Sequence, residues 1–211
     1  MNRSWKDRIS GLYAVTPDEN DTVELLRKVR LALLGGARLL QYRNKISNRE
    51  VHLEQSRALR DLTYEFEIPL IINDDVMLAL ETDADGVHLG SSDGSLDEAR
   101  KVLGSGKIIG MSCYNRLELA HESEKQGADY VAFGSFFASM VKPEAVIATT
   151  DLLRQAHGEI SLPIVAIGGI TVNNGTELLE AGADALAVIS ALFGAGDIRQ
   201  EARRFADLKI R

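Results

Sequence analysis

Residues Ile71 to Asp93 read IINDDVMLALETDADGVHLGSSD. Two short apolar runs each end in polar groups. The first stops at Asn73, Asp74 and Asp75; the second, Gly86-Val87-His88-Leu89, stops at Gly90 and then Asp93. Between them lies a helical stretch of about two to three turns. Two such runs joined by a helix read as parallel strands of one crossover unit. Their carboxyl ends then lie side by side, and Asp74 and Asp93 face one space about right for a single divalent ion.

The same unit recurs along the chain. Short β-rich apolar runs fall at Leu12–Val15, Leu39–Arg43, Leu70–Asn73, Val87–Leu89, Ile108–Met111, Tyr130–Phe133, Ile164–Ile167 and Leu186–Ile189, eight in all. The segments between them have helical spacing, as in Val23, Leu25, Leu26, Val29 and Leu33, with Lys28 and Arg30 left to face water. Alternating strand and helix implies a parallel sheet. Eight units in 211 residues predict an α/β fold, a single (β/α)8 TIM barrel near the short end of its size range. A doubly wound open sheet is the alternative, because periodicity does not show closure. A weak internal repeat favours the barrel. Gly36-Ala37-Arg38-Leu39, Asp83-Ala84-Asp85-Gly86-Val87, Gly127-Ala128-Asp129-Tyr130-Val131 and Gly182-Ala183-Asp184-Ala185-Leu186 each precede an even-numbered run. With no linker or composition shift, one domain over 1–211 is expected: an extension at 1–10, the barrel core at 11–192 and a C-terminal helix at 193–211.

Composition narrows the class. The chain is 45% hydrophobic and 26% charged, ordinary for a globular protein. A net charge of -7 argues against broad binding to nucleic acid or anionic membrane, though not against a local basic pocket. One cysteine, Cys113, excludes an intrachain disulfide and fits a reducing compartment. The stretch MNRSWKDRIS has no apolar core of signal-peptide length, and no apolar run approaches the roughly 18 residues of a membrane helix. The expectation is a cytoplasmic protein without membrane or nucleic-acid partners.

In such barrels the working groups gather at the carboxyl ends of the strands. Gln41, Arg43 and Lys45 follow the second run, Asn73 to Asp75 the third, Asp93 the fourth, Ser112 and Cys113 the fifth, and Ser135, Ser139 and Lys142 the sixth. Gly168 and Gly169 follow the seventh, Ile189 and Ser190 the eighth. The acids fit magnesium, which takes oxygen ligands, keeps several waters and accepts substrate phosphate. They equally fit helix caps, at Val76 for Asp74 or Asp75 and near Leu96 for Asp93. Spacing alone allows either member of the Asp74-Asp75 pair as a ligand. Arg43, Lys45 and Lys142 come from runs that face each other across a barrel and suit a diphosphate; taken singly, each also reads as solvated charge. The Gly168-Gly169 turn lets backbone N–H groups approach an anion, and Ser190-Ala191-Leu192-Phe193 supplies the short helix of the usual barrel phosphate site. His88 reads as a hydrogen-bonded core residue, and Cys113 as a buried spectator thiol. His52, His121 and His157 read as surface residues of helices. A metal, cations beside it and a second anion site suit two phosphorylated ligands, one a diphosphate, and displacement at carbon with diphosphate loss.

QYRNK at 41–45, NDD at 73–75, ADGVHLG at 84–90 with Asp93, Gly110-Met111-Ser112, Lys142 and VAIGGI at 165–170 together resemble the thiamine-phosphate synthases, from about Leu12 to Leu192. The resemblance implies coupling of a hydroxymethylpyrimidine diphosphate to a thiazole phosphate with release of diphosphate. It assigns the pyrimidine diphosphate to Gln41, Tyr42, Arg43, Asn44, Lys45, Asn73, Ser112 and Lys142, with Lys142, Arg43 and Ser112 catalytic. It assigns Mg2+ to Asp74 and Asp93, which leaves Asp75 as a helix cap. The thiazole phosphate falls to Ser139, Met140, Val141, Gly169, Ile189 and Ser190. Two departures bear on the thiazole side: the family usually has Thr-x-Thr-Lys where this chain has Ser139-Met140-Val141-Lys142, and often Gln where it has Ser91. Related tautomerases of the same barrel lack the full metal and diphosphate set and use a histidine shortly after the fifth strand; here Tyr114 stands in that region. A phosphate-binding barrel without activity is the remaining alternative. Oligomeric state is left open.

Overall fold

The computed structural model describes residues 9–138 and 146–208. Strand and helix alternate throughout: β1 (Gly11–Val15), α1 (Thr22–Leu34), β2 (Leu39–Tyr42), α2 (Arg49–Glu65), β3 (Leu70–Asn73), α3 (Val76–Glu81), β4 (Gly86–Leu89), α4 (Leu96–Leu103) and β5 (Ile108–Tyr114). Then follow α5 (Leu117–Gln126), β6 (Tyr130–Gly134), α6 (Thr150–Glu159), β7 (Ile164–Ile167), α7 (Val172–Glu180), β8 (Ala185–Val188), α8 (Ser190–Phe193) and α9 (Ile198–Ala206). All strands pair in parallel and in chain order, and β8 pairs back onto β1. The sheet is a closed (β/α)8 barrel; the open-sheet alternative is excluded. Two strand ends differ from expectation. β2 stops at Tyr42, so Arg43 opens the following loop. β5 runs to Tyr114, so Ser112 and Cys113 lie within it, with an irregular register against β6 between Ser112 and Tyr114.

Two apolar layers hold the barrel. The inner one contains Tyr13, Val15, Leu39, Ile71, Ile108, Tyr130, Ala132, Val165, Ala185 and Ala187, the inward members of the strands. Ile9, just before β1, belongs to this layer and is fully buried; residues 1–8 of the expected extension at 1–10 lie outside the described residues. The outer layer lies between strands and helices and includes Leu25, Val29, Leu40, Leu59, Leu70 and Val131. Glycine makes room where large inner side chains meet: a Cβ on Gly110 would lie 2.0 Å from the Tyr130 ring. α9 closes the circuit against Gly35, where a Cβ would fall 2.4 Å from Ala202 Cβ. No helix of the described residues is long and apolar enough to cross a membrane.

The internal repeat has a structural cause. Asp85, Asp129 and Asp184 each precede an even-numbered strand, and each carboxylate accepts the first N–H of the preceding odd-numbered strand: Leu70 at 2.9 Å, Ile109 at 2.8 Å (one residue into β5) and Ile164 at 2.7 Å. Their own N–H groups donate back to carbonyls of the same strands. Arg60 and Arg100 add ion pairs to the first two acids. Each clamp satisfies strand-end groups that would otherwise lack partners. In the first copy Arg38 replaces the acid, and only the backbone link, to Leu12 O, remains.

Candidate active site

Asp74 follows the last residue of β3, and its N–H donates to His88 O at 2.8 Å, extending the β3–β4 ladder. Its φ is +65°, a left-handed conformation that Asp and Asn tolerate better than most residues. Asp93 folds back from the loop after β4, and its Oδ2 accepts the Gly90 N–H at 2.8 Å. The two carboxyls lie close enough that each acts on the other's ionisation. Lys45 Nζ donates to Asp74 Oδ2 at 2.5 Å. Burial raises the pKa of Asp74; Lys45 opposes the rise and Asp93 adds to it. At Asp93 burial is again the largest single influence and acts upward. The Gly90 N–H, the Asp74 carboxyl and the Ser92 hydroxyl outweigh it, so the pKa falls. The pair therefore divides into one reluctant and one ready carboxylate.

The capping alternatives resolve separately. Asp75 is the cap of α3, its Oδ1 accepting the Leu78 N–H at 2.8 Å, while its Oδ2 pairs with Arg49 at 2.7 Å. α4 is capped by Ser95 in a capping box with Glu98, so Asp93 is not needed there. Asp74 and Asp93 are thus the two acids turned toward each other. No group of three or more acids, histidines or cysteines suited to a metal exists among the described residues.

Alternation along β2 separates its residues. Gln41 turns inward and is buried, with Nε2 donating to Tyr13 OH at 3.1 Å. Tyr13 OH in turn lies 2.9 Å from Tyr130 OH. His88 stacks on Tyr130, with ring centroids 5.4 Å apart, and its Nε2 is 2.9 Å from Ser112 Oγ. These side chains form a polar floor that reaches from β2 to β5. Burial raises both tyrosine pKa values, so both phenols stay neutral. Tyr42 turns the other way: its hydroxyl donates to Gln55 Oε1 at 2.8 Å in the outer layer. Asn44 is also spent locally, donating to Glu19 O, Ser47 Oγ and Gln55 Oε1. The Tyr42 and Asn44 side chains are thus both engaged in holding the loop. His52, expected at the surface, is half-buried edge-on to Tyr42, with ring centroids 6.0 Å apart. His121 pairs with Glu159 on the surface and His157 is exposed.

Arg43 begins the loop, and its backbone is tied twice to the buried Thr16 hydroxyl, at 2.7 and 2.8 Å. Asp18 Oδ1 accepts both the Arg43 guanidinium at 3.0 Å and the Lys45 N–H at 2.7 Å. Neither Thr16 nor Asp18 stands out in the sequence, although Thr16-Pro17-Asp18 follows the first strand at the same barrel end as the other groups. The inward alternation of Tyr13 and Tyr130 was the available signal for the polar floor. Ser139, Met140, Val141 and Lys142 lie outside the described residues. Cys113 is buried, and burial pushes its thiol up to about 12.

Across the mouth, the turns after β7 and β8 enclose a cavity of about 370 Å³ lined by Gly168, Gly169, Thr171, Ile189 and Ser190. Gly168 and Gly169 have φ of +105° and +64°. A Cβ at Gly168 would stand 1.9 Å from Ser135 Oγ, so glycine is required by both conformation and space. Tyr114, where the tautomerases are expected to have histidine, lies 3.1 Å from Ser91 Oγ through its hydroxyl. The structure thus gathers Gln41, Arg43, Lys45, Asn73, Asp74, Asp93 and Ser112 at the ends of β2 to β5, and Gly169, Ile189 and Ser190 at the ends of β7 and β8.

Fold and site together define a (β/α)8 barrel with an acid pair and basic residues on one side of its mouth and a glycine-walled cavity on the other. The family model for thiamine monophosphate synthase matches residues 12–192. The chain belongs to that family, whose members are transferases of thiamine biosynthesis. A thiamine-phosphate synthase of Nitrosospira multiformis is 58% identical over 200 residues, 95% of this chain and 86% of the relative. Another, of Methylobacillus flagellatus, is 53% identical over 99% of both chains. Among solved structures, thiamine phosphate pyrophosphorylase from Pyrococcus furiosus superposes with a TM-score of 0.88 at 36% identity, over 97% of both chains.

Proposed function

We propose that this chain is a thiamine-phosphate synthase that joins a hydroxymethylpyrimidine diphosphate to a thiazole phosphate, releasing diphosphate, with Mg2+ on Asp74 and Asp93. The observation that carries the reading is the convergence of those two carboxylates beside Lys45 and near the loop that bears Arg43. Two oxygen ligands with room for water and phosphate oxygens match the coordination habit of magnesium. When bound, the ion would neutralise charge on the diphosphate and make it a better leaving group.

The chain's own residues supply the rest. Arg43, Lys45 and Lys142 meet the diphosphate as its bond to the methylene carbon breaks and its oxygen takes the electron pair. Gln41 and Ser112, fixed by Tyr13 and His88, orient the pyrimidine ring, whose amino group spreads the developing positive charge. Gly169, Ile189 and Ser190, with Ser139 to Val141, hold the thiazole phosphate so that the ring nitrogen faces the methylene carbon. No protein nucleophile is needed, and alignment and exclusion of water are the remaining tasks. The partners are two small phosphorylated substrates, and the place of work is the cytoplasm.

An assay with both substrates and Mg2+ tests the reading. Product formation that needs all three components supports it; thiazole isomerisation alone, or binding without turnover, refutes it. Lys142→Ala is expected to lower turnover by about tenfold or more, which corresponds to about 1.4 kcal/mol; a near-normal steady-state rate would remove Lys142 from the mechanism.

A further inference from the structure

The two cations of the loop after β2 have different carboxylate partners. Arg43 pairs with Asp18, away from the acid pair, and its side chain is only 14% exposed. Lys45 pairs with Asp74 at 2.5 Å, and its side chain is 52% exposed. Its charge also acts on Asp93. The Lys45 backbone is fixed independently, through its N–H to Asp18 Oδ1 at 2.7 Å. The ammonium can therefore leave Asp74 without moving the loop.

We infer that Lys45 is the resident cation of the acid pair in the ligand-free protein, and that the divalent ion and the diphosphate consequently bind as a coupled pair. A divalent ion arriving alone meets a carboxylate already engaged and a positive charge beside it. A diphosphate draws the ammonium off Asp74 and opens that oxygen. An ion bound first leaves the ammonium to reach the diphosphate. The coupling is reciprocal by thermodynamic necessity. Lys45 thus positions the two ligands relative to each other in addition to contacting one of them. This inference rests on the proposed metal site, and it adds a dependence of each ligand on the other.

The test is Mn2+ binding to the whole protein, followed by electron paramagnetic resonance, with and without inorganic diphosphate. For the wild type, diphosphate should tighten Mn2+ binding by about tenfold. Lys45→Met should bind Mn2+ alone about threefold or more tightly than the wild type, as expected for removal of a partly exposed ion pair, and its diphosphate effect should shrink by at least the same factor. Lys45→Arg should restore the wild-type pattern. Equal Mn2+ affinity of the wild type and Lys45→Met without diphosphate would overturn the inference while leaving the metal site intact. Unchanged Mn2+ binding in Asp74→Asn would instead overturn the metal site, and the inference with it.

Discussion

Asp74 carries two costs at once. Its backbone is left-handed at φ +65°, and its raised pKa means that the ionised form is less favourable in the folded protein than in the unfolded chain. For an acid raised in this way the penalty is absent below the unfolded pKa of about 3.9 and complete above the folded one. Asparagine avoids the charge and accepts the same backbone. Asp74→Asn is therefore expected to raise Tm at pH 7, by a margin that shrinks as the pH falls, and to lower turnover about a hundredfold, or about 2.7 kcal/mol. Differential scanning fluorimetry across pH and steady-state kinetics check the two halves. Asp75→Ala is the contrast: the cap of α3 and the Arg49 pair are lost, at about 1 kcal/mol, with turnover nearly unchanged. Asp18 acts through its neighbours. Asp18→Ala releases Arg43 and the Lys45 N–H and should raise KM for the pyrimidine diphosphate about fivefold or more, leaving KM for the thiazole phosphate in place. An equal rise in both constants would point to general damage instead.

At the scale of elements, the strand-end clamps account for the repeat. Asp129 accepts the Ile109 N–H and the Arg100 guanidinium, so Asp129→Ala leaves a half-buried N–H and a cation without their partner. The expected loss is about 1–3 kcal/mol, read from urea denaturation, with kinetic constants unaffected because the clamp lies at the end of the barrel opposite the site. β5 teaches a second lesson. Its apolar reading ends at Met111, yet the strand continues to Tyr114, because pairing with β6 holds Ser112 and Tyr114 in the ladder. The extension keeps Ser112 on the strand beside His88 and buries Cys113 on the opposite face. With its thiol pushed up to about 12, Cys113 should resist alkylation at pH 8 until the protein unfolds; rapid labelling of the native protein would contradict its placement.

For the whole molecule, closure of the barrel sets what can meet. Hydrophobic spacing, eight strand–helix units and the repeat before alternate strands were enough to favour the barrel over an open sheet, since each is a local consequence of period and turn chemistry; closure itself was decided by the pairing of β8 with β1. The acids after the third and fourth strands and the glycine pair after the seventh were legible for the same reason: a parallel barrel brings every strand's carboxyl end to one face. Metal is expected to serve the site without supporting the fold, because both core layers are apolar and neither Asp74 nor Asp93 belongs to them. Chelation with EDTA should therefore abolish turnover and leave the Tm of the ligand-free protein unchanged. Other features required the tertiary structure. Sequence allowed Asp74 or Asp75 as the inward acid, and only the turn at the end of β3 assigned one to Asp93 and the other to a helix. Alternation puts Gln41 and Tyr42 on opposite faces, but the packing against Gln55 decided that Tyr42 is spent on the outer layer. The Tyr13–Tyr130 contact joins residues 117 apart, and the Asp18–Arg43 pair joins different loops. Local sequence encodes the period and the turn of each element; which side chains then touch depends on how eight strands tilt and close, a property that belongs to all of them together.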